Sequence, residues 1–186
     1  MGTGVAVGAD VDDAYLVRRA REGYVDAYAE LVDRHGQLAY RVALRLLGNH
    51  HDAEDVAQEA LVTAWQQLPR FKANSRFTTW LYQIVTRKTL NRITRTRAIE
   101  SLDLLGDIPA TGDEPAQRTE RDLTVDAVTA AVAALPPPQR IAIVLRHFEG
   151  LSNAEIARIT ASTIPAVRSH LFRGRRTLSQ TLEQWR

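Results

Sequence analysis

Apolar residues along this chain recur every three or four positions and do not alternate, which is the spacing of amphipathic helices and not of strands. Leu16, Val17 and Ala20 open the pattern and Gly23 interrupts it. Ala27, Leu31, Leu38, Val42, Leu46 and Leu47 carry it to Gly48, a residue suited to ending a helix. Asp52 is then placed to cap a helix bearing Val56, Ala60, Leu61 and Trp65, which ends near Pro69. After a polar loop at 72–76, Phe77, Trp80, Leu81, Ile84, Val85 and Leu90 form another apolar stripe. Between 98 and 122 the periodicity fades, and Gly106, Pro109, Gly112 and Pro115 punctuate the chain. Helical spacing resumes over 123–135, pauses at Pro136-Pro137-Pro138, and returns over 139–148.

The segment that follows has the signature of a helix-turn-helix. Ser152 and Glu155 form a capping box in front of a short helix packed through Ile156, Ala157 and Ile159. Residues 160–163 make the turn. Pro165 falls in the first turn of a second helix, where its missing N–H costs nothing, and Thr163 is placed to cap it. On that helix Val167, Leu171 and Leu178 share one side, leaving Arg168, Ser169, Phe172, Arg173 and Arg176 on the other. Arginines and small polar groups on an outer helix face suit a DNA major groove. Phe172, which as a lone aromatic would ordinarily be core, is expected to face outward and to meet a thymine methyl. Arg175 and Arg176 are expected to hold phosphates.

Charge sharpens the division into parts. The net charge is only +2, which excludes a uniformly basic coat. Yet Arg70, Lys72, Arg76, Arg87, Lys88, Arg92, Arg95 and Arg97 follow one another with no acidic residue between them, and the stretch 98–122 is acidic. The pattern predicts an all-α fold: two small helical domains joined by a flexible acidic linker, the C-terminal one a helix-turn-helix. The expected boundaries are a disordered leader at 1–11, a first domain at 12–97, the linker at 98–122 and a second domain at 123–186. The chain has no cysteine, so disulfides and thiolate-bound zinc are excluded. With no apolar run of membrane length, a cytoplasmic protein without membrane insertion is expected.

Two segments resemble a known family. The run from Asp52 to Trp65, followed by Phe71-Lys-Ala-Asn-Ser-Arg-Phe-Thr-Thr-Trp-Leu-Tyr-Gln-Ile84, is similar to the second region of bacterial extracytoplasmic-function (ECF) sigma factors, of the sigma-70 superfamily. The segment from Leu135 through the helix-turn-helix resembles their fourth region, in matching order. The resemblance implies a protein that binds core RNA polymerase, recognises promoter DNA and helps melt it, without catalysis and without a cofactor or metal. It implies docking on the largest subunit's coiled coil through Asp52, Asp55, Gln58 and Glu59, and a contact between the C-terminal domain and the flap of the second-largest subunit. Single-stranded DNA of the minus-ten element would meet Lys72, Asn74, Ser75, Arg76, Arg87, Lys88 and Arg92, with Asn74 and Ser75 at the pocket for a flipped base. The duplex minus-thirty-five element would meet Thr163, Arg168, Ser169, Phe172, Arg173 and Arg176. An anti-sigma factor is a further implied partner, and one that can hold such a protein at a membrane.

Plainer readings stand beside these. Asp52, Asp55 and Glu59 share a helix face that could simply be solvated, with Asp52 complementing the helix dipole. Joined by His50 and His51 they could form a metal site, as in a metal-dependent nuclease. The C-terminal half alone would serve a helix-turn-helix regulator acting without polymerase. Tyr82 lies off the apolar stripe, so base stacking and a structural role are both open. One departure from the family pattern stands out: many members have glycines in and after the turn, where this chain has Ala161 and Pro165. The approach angle of the second helix, and with it promoter preference, is expected to differ there.

Overall fold

The computed structural model describes residues 12–72, 75–103 and 128–183, all of them helix or connecting turn. The N-terminal unit contains α1 (Asp13–Arg21), α2 (Val25–Leu47), α3 (His50–Gln67) and α4 (Phe77–Asp103), with a short 3-10 turn, Leu68–Arg70, before α4. The C-terminal unit contains α5 (128–134), α6 (Pro137–Ile143), a π-helical turn (Val144–Phe148), α7 (Asn153–Ile159) and α8 (Ile164–Glu183).

Local chemistry sets most of these boundaries. The Asp12 carboxylate accepts from the Ala14 N–H and starts α1. Gly23, at φ +96°, makes the turn into α2. Gly48 ends α2 in the left-handed conformation at φ 73°, donating its N–H to Leu44 at 2.7 Å. The next cap differs from expectation: Asn49, not Asp52, caps α3, its side chain accepting from the Asp52 N–H at 3.0 Å. Asp52 is the third helical residue, whose N–H an N-cap side chain satisfies, so its own carboxylate is left for another partner. At the other end α4 runs six residues into the stretch read as linker, because no glycine or proline interrupts it before Gly106. Residues 1–11 and 104–127, which hold the leader and most of the linker, lie outside the described residues.

In the N-terminal unit, Leu31, Ala39, Val42, Ala43 and Leu46 of α2 pack on Ala53, Val56, Ala57, Ala60 and Ala64 of α3. The alanine face of α3 allows the two helices to approach closely. Phe77, Leu81, Ile84 and Val85 of α4 close the core from the third side. The Tyr28 ring lies tilted against Trp65, with centroids 4.9 Å apart, and its hydroxyl donates to the Leu61 carbonyl at 2.5 Å; burial pushes its phenol up to about 12.

In the C-terminal unit α6 begins at Pro137, where a ring-locked φ suits the first helical turn. The π-helical turn buries Val144 and Leu145 and carries the chain past Phe148 to Glu149. In the helix-turn-helix the predicted capping box is present, with Ser152 and Glu155 bonded reciprocally. α8 crosses α6 at Gly174, where a Cβ would come 2.8 Å from Ile143 Cγ1. The turn keeps a left-handed residue although no glycine is there: Ala161 holds φ 50°.

The two units do not stand apart. Buried residues of both form one apolar cluster, with Leu135, Ile141 and Leu145 joined to Leu46 and Leu81. Arg140 of α6, itself buried, reaches the carboxyl end of α2 and donates from Nη1 to the Leu46 carbonyl at 2.6 Å, while Nε and Nη2 bond the Leu135 carbonyl.

The left-handed alanine predicts a gain from Ala161→Gly. Relief of about 1–2 kcal/mol of strain, less the extra freedom glycine brings to the unfolded chain, leaves about 0.5–1 kcal/mol of added stability. Chemical denaturation should show this as a higher midpoint with an unchanged slope.

Candidate nucleic-acid interface

α3 and α4 lie side by side, and this brings together two groups of residues that the sequence assigned to different partners. Arg92 of α4 donates to Asp52 at 2.9 Å and to Asp55 at 3.3 Å of α3. One turn along, Lys88 pairs with Glu59 at 3.1 Å. Of these groups Asp55, Glu59 and Lys88, with Gln58 and the exposed Val62, edge a shallow, open depression of about 590 Å³. The carboxylates of α3 are thus occupied by cations of α4, which argues against their gathering a metal ion with His50 and His51. His51 only approaches Asp55, at 4.0 Å, and His50 accepts or donates at the Tyr40 hydroxyl.

The rest of the predicted strand-binding set faces another way. Lys72, Arg76 and Arg87 are exposed and Ser75 is half-buried; Asn74 lies outside the described residues. Among the described residues none pairs Arg87 with a carboxylate. The loop is braced from behind by Phe71, stacked at 4.7 Å on Trp80, which in turn meets Phe77. Lys72, Ser75, Trp80 and Gln83 border one cleft with Arg70 and Arg158. Polar and cationic groups around an aromatic ring provide what a splayed single strand needs: phosphate attraction and a face for a base.

On α8, Arg168, Phe172, Arg173 and Arg176 are exposed and Ser169 is half-buried, while Val167 and Leu171 are core. Phe172 is 64% exposed, so its ring is not a packing residue of this chain. Thr163 caps the helix, accepting from the Ala166 N–H at 3.3 Å. Arg175 turns back, donating Nε to the Leu171 carbonyl. The outer face of α8 therefore offers cations with an apolar contact among them, on a helix anchored by its other side.

The structure decides one group that the sequence left open and adds two that it missed, Glu149 and Arg140. Tyr82, left open between base stacking and structure, is buried and donates to Glu149 at 2.9 Å; burial first, and then the Glu149 charge, push its phenol well above the ordinary range. Glu149 also takes a bond from Arg45 Nη1 at 2.5 Å, and the Arg45 guanidinium lies over the Phe148 ring. Glu149 and Arg140 carried one faint signal each: a lone acid after Arg146 and His147, and a lone cation among the apolar residues from 135 to 145. The α7 carboxylate Glu155 is held below its ordinary value by the Ser152 hydroxyl and backbone, then by Arg158 and by Arg76 of the strand loop.

Comparison with known proteins agrees with this geometry. Residues 31–99 match the family described as Sigma-70 region 2, and residues 126–178 match Sigma-70, region 4. The ECF RNA polymerase sigma factor SigW of Bacillus subtilis is 31% identical over 176 residues, covering 89% of this chain and 94% of that protein. Among solved structures, CnrH in complex with the cytosolic domain of CnrY is similar with a TM-score of 0.70 and 26% identity, covering 92% of this chain and 97% of that one. The sigma factor RpoE of Bartonella quintana, solved with the anti-sigma factor NepR, has a TM-score of 0.69 and 27% identity, covering 84% of this chain and 96% of that one.

Because Arg92 and Asp55 are both partly solvated, their pairing should be weak. A double-mutant cycle of Arg92→Ala and Asp55→Ala, read by urea unfolding, should give a coupling of about 0.2–1 kcal/mol that shrinks as salt is added. A coupling of zero at low salt would mean that the two side chains do not meet in solution.

Proposed function

The chain belongs to the ECF sigma factors of the sigma-70 family, and we propose that it binds core RNA polymerase, recognises promoter DNA with two separate surfaces and opens it for transcription of a specific set of genes. The observation that carries this reading is the order of surfaces. An acidic helix is followed by a basic loop and helix in one unit, and a helix-turn-helix with an outward Phe172 and free arginines forms the other. The first unit, residues 12–97, is the region 2 domain, and 123–186 the region 4 domain.

Each surface has a distinct task. Asp52, Asp55, Gln58 and Glu59 dock the polymerase's largest subunit, and a basic surface arriving there competes with Arg92 and Lys88 for the carboxylates. Those cations are then released toward DNA phosphates, where they join Arg87 and Lys72. Ser75, Arg76 and Asn74 border the site for an unpaired base of the minus-ten element. Strand opening follows from binding: bases held outside the stack offset the cost of unpairing them, so no catalytic group of this chain is needed. Arg168, Ser169, Phe172 and Arg173 read the minus-thirty-five duplex, with Thr163 and Arg176 on its backbone. Among the described residues no helix is long and apolar enough to cross a membrane, and we place the protein in the cytoplasm. By analogy with RpoE and NepR, an anti-sigma factor controls it.

Run-off transcription with bacterial core polymerase on a genomic fragment library tests the whole reading, and failure to direct any specific transcript refutes it. Within it, Asp55→Ala should weaken polymerase association several-fold while α8 still binds duplex DNA; equal loss of both would indicate misfolding instead. Arg173→Ala should cost about 1–3 kcal/mol of binding to the upstream element if it bridges a guanine, measured by fluorescence anisotropy on the selected promoter.

A further inference from the structure

We propose that the cleft between α4 and α7 is a binding site for a purine nucleoside monophosphate, a ligand that the promoter reading above does not require. The cleft measures about 330 Å³, at the lower end of the roughly 300–1,000 Å³ usual for small-ligand sites. α4 supplies Trp80, Thr86 and Arg87 on one side, and α7 supplies Arg158 and Ile159 on the other. Ile84 and Ile159 are buried and Trp80 and Leu90 half-buried, so part of the wall is apolar.

The group that points to a ligand is Thr86. It is 2% exposed, and its hydroxyl has no hydrogen-bond partner among the described residues. A threonine within a helix can meet that need by bonding the carbonyl four residues back. Thr89 does so with Val85 and Thr94 with Leu90, each at 2.9 Å. Thr86 makes no such bond to Tyr82, and its hydroxyl is left unpaired at the wall of the cleft. An unpaired buried hydroxyl is costly, and a ligand that bonds it recovers that cost.

The rest of the wall narrows the chemistry. Among the described residues neither Arg87 nor Arg158 pairs with a carboxylate. A guanidinium fork fits phosphate oxygens, and two of them match the nearly doubly negative phosphate monoester at neutral pH. Trp80 offers a ring for a base, and Phe71, stacked on it at 4.7 Å, and Phe77, tilted at 5.9 Å, hold it in place. The Gln83 amide nitrogen is bonded to the Arg158 carbonyl at 3.5 Å, leaving its oxygen to accept from a base edge. Inorganic phosphate would meet the arginines but leave Thr86 and the apolar wall uncovered. A nucleoside alone would leave the two cations facing each other across an apolar space. A purine covers more of that wall than a pyrimidine does. Because such a ligand touches both units, it stabilises the chain in proportion to its concentration.

Isothermal titration calorimetry of the full chain with GMP and with AMP tests this. One saturable site is expected for each, with inorganic phosphate and guanosine each about tenfold weaker or worse. Thr86→Val keeps the shape and removes the hydroxyl. It should weaken the nucleotide about tenfold, yet leave the ligand-free chain at least as stable in urea, since it deletes an unpaired polar group. A threonine whose hydroxyl served the fold would show the reverse. Arg158→Gln should weaken the nucleotide without weakening guanosine. Absence of saturable binding up to millimolar nucleotide overturns the proposal, as does phosphate alone binding as tightly, or affinity that Thr86→Val leaves unchanged. A short fluorescein-labelled single strand should bind wild type and Thr86→Val equally well. A loss of strand affinity parallel to the loss of nucleotide would assign the cleft to promoter DNA and overturn the proposal too. None of these readouts uses polymerase, so they stand or fall separately from the run-off assay.

Discussion

Much of this molecule hangs on the carboxyl end of α2. A helix ends with four carbonyls that its own N–H groups do not reach, and when that end is buried each needs a donor from elsewhere. Here Gly48 supplies one, bonding Leu44 through a left-handed turn that also starts α3 on its path. Arg140 supplies another from more than ninety positions away, donating to Leu46 with a buried guanidinium. A cation at the negative end of the helix dipole is favourable, and its five donors are largely spent on two carbonyls. Removing it would strand both the carbonyl and the space it fills. One helix end thereby sets the course of α3 and the seat of the whole C-terminal unit.

A second theme is how charge is distributed between satisfied and free groups. Arg92 and Lys88 of α4, which lie next to α3, are paired, while Arg87 pairs with no carboxylate among the described residues. Among the described residues no carboxylate pairs with Arg168, Arg173 or Arg176 on the outer face of α8. Exposed ion pairs of the α3–α4 kind are individually worth little, so exchanging them for a partner's charges costs little too. A protein that must pass between a polymerase and DNA benefits from contacts that are specific in geometry and cheap to exchange.

The amino-acid sequence by itself determined the helices, the capping box, the glycine stop after α2, the outward Phe172 and the all-helical two-part order. It did so because those features depend on residues within one or two turns of each other: a 3.6-residue period, a side chain reaching its own helix end, a backbone torsion. Even the misplaced cap of α3 was a local error of three residues, Asn49 and Asp52 both being good caps. Tertiary structure alone decided which charges are free, that Tyr82 is a buried hydrogen-bond donor, and that Arg140 and Glu149 tie the two units together. Their partners lie 67 to 104 positions away, and neither periodicity nor the sign of a charge says whether a side chain will meet its counterpart inside the molecule or outside it.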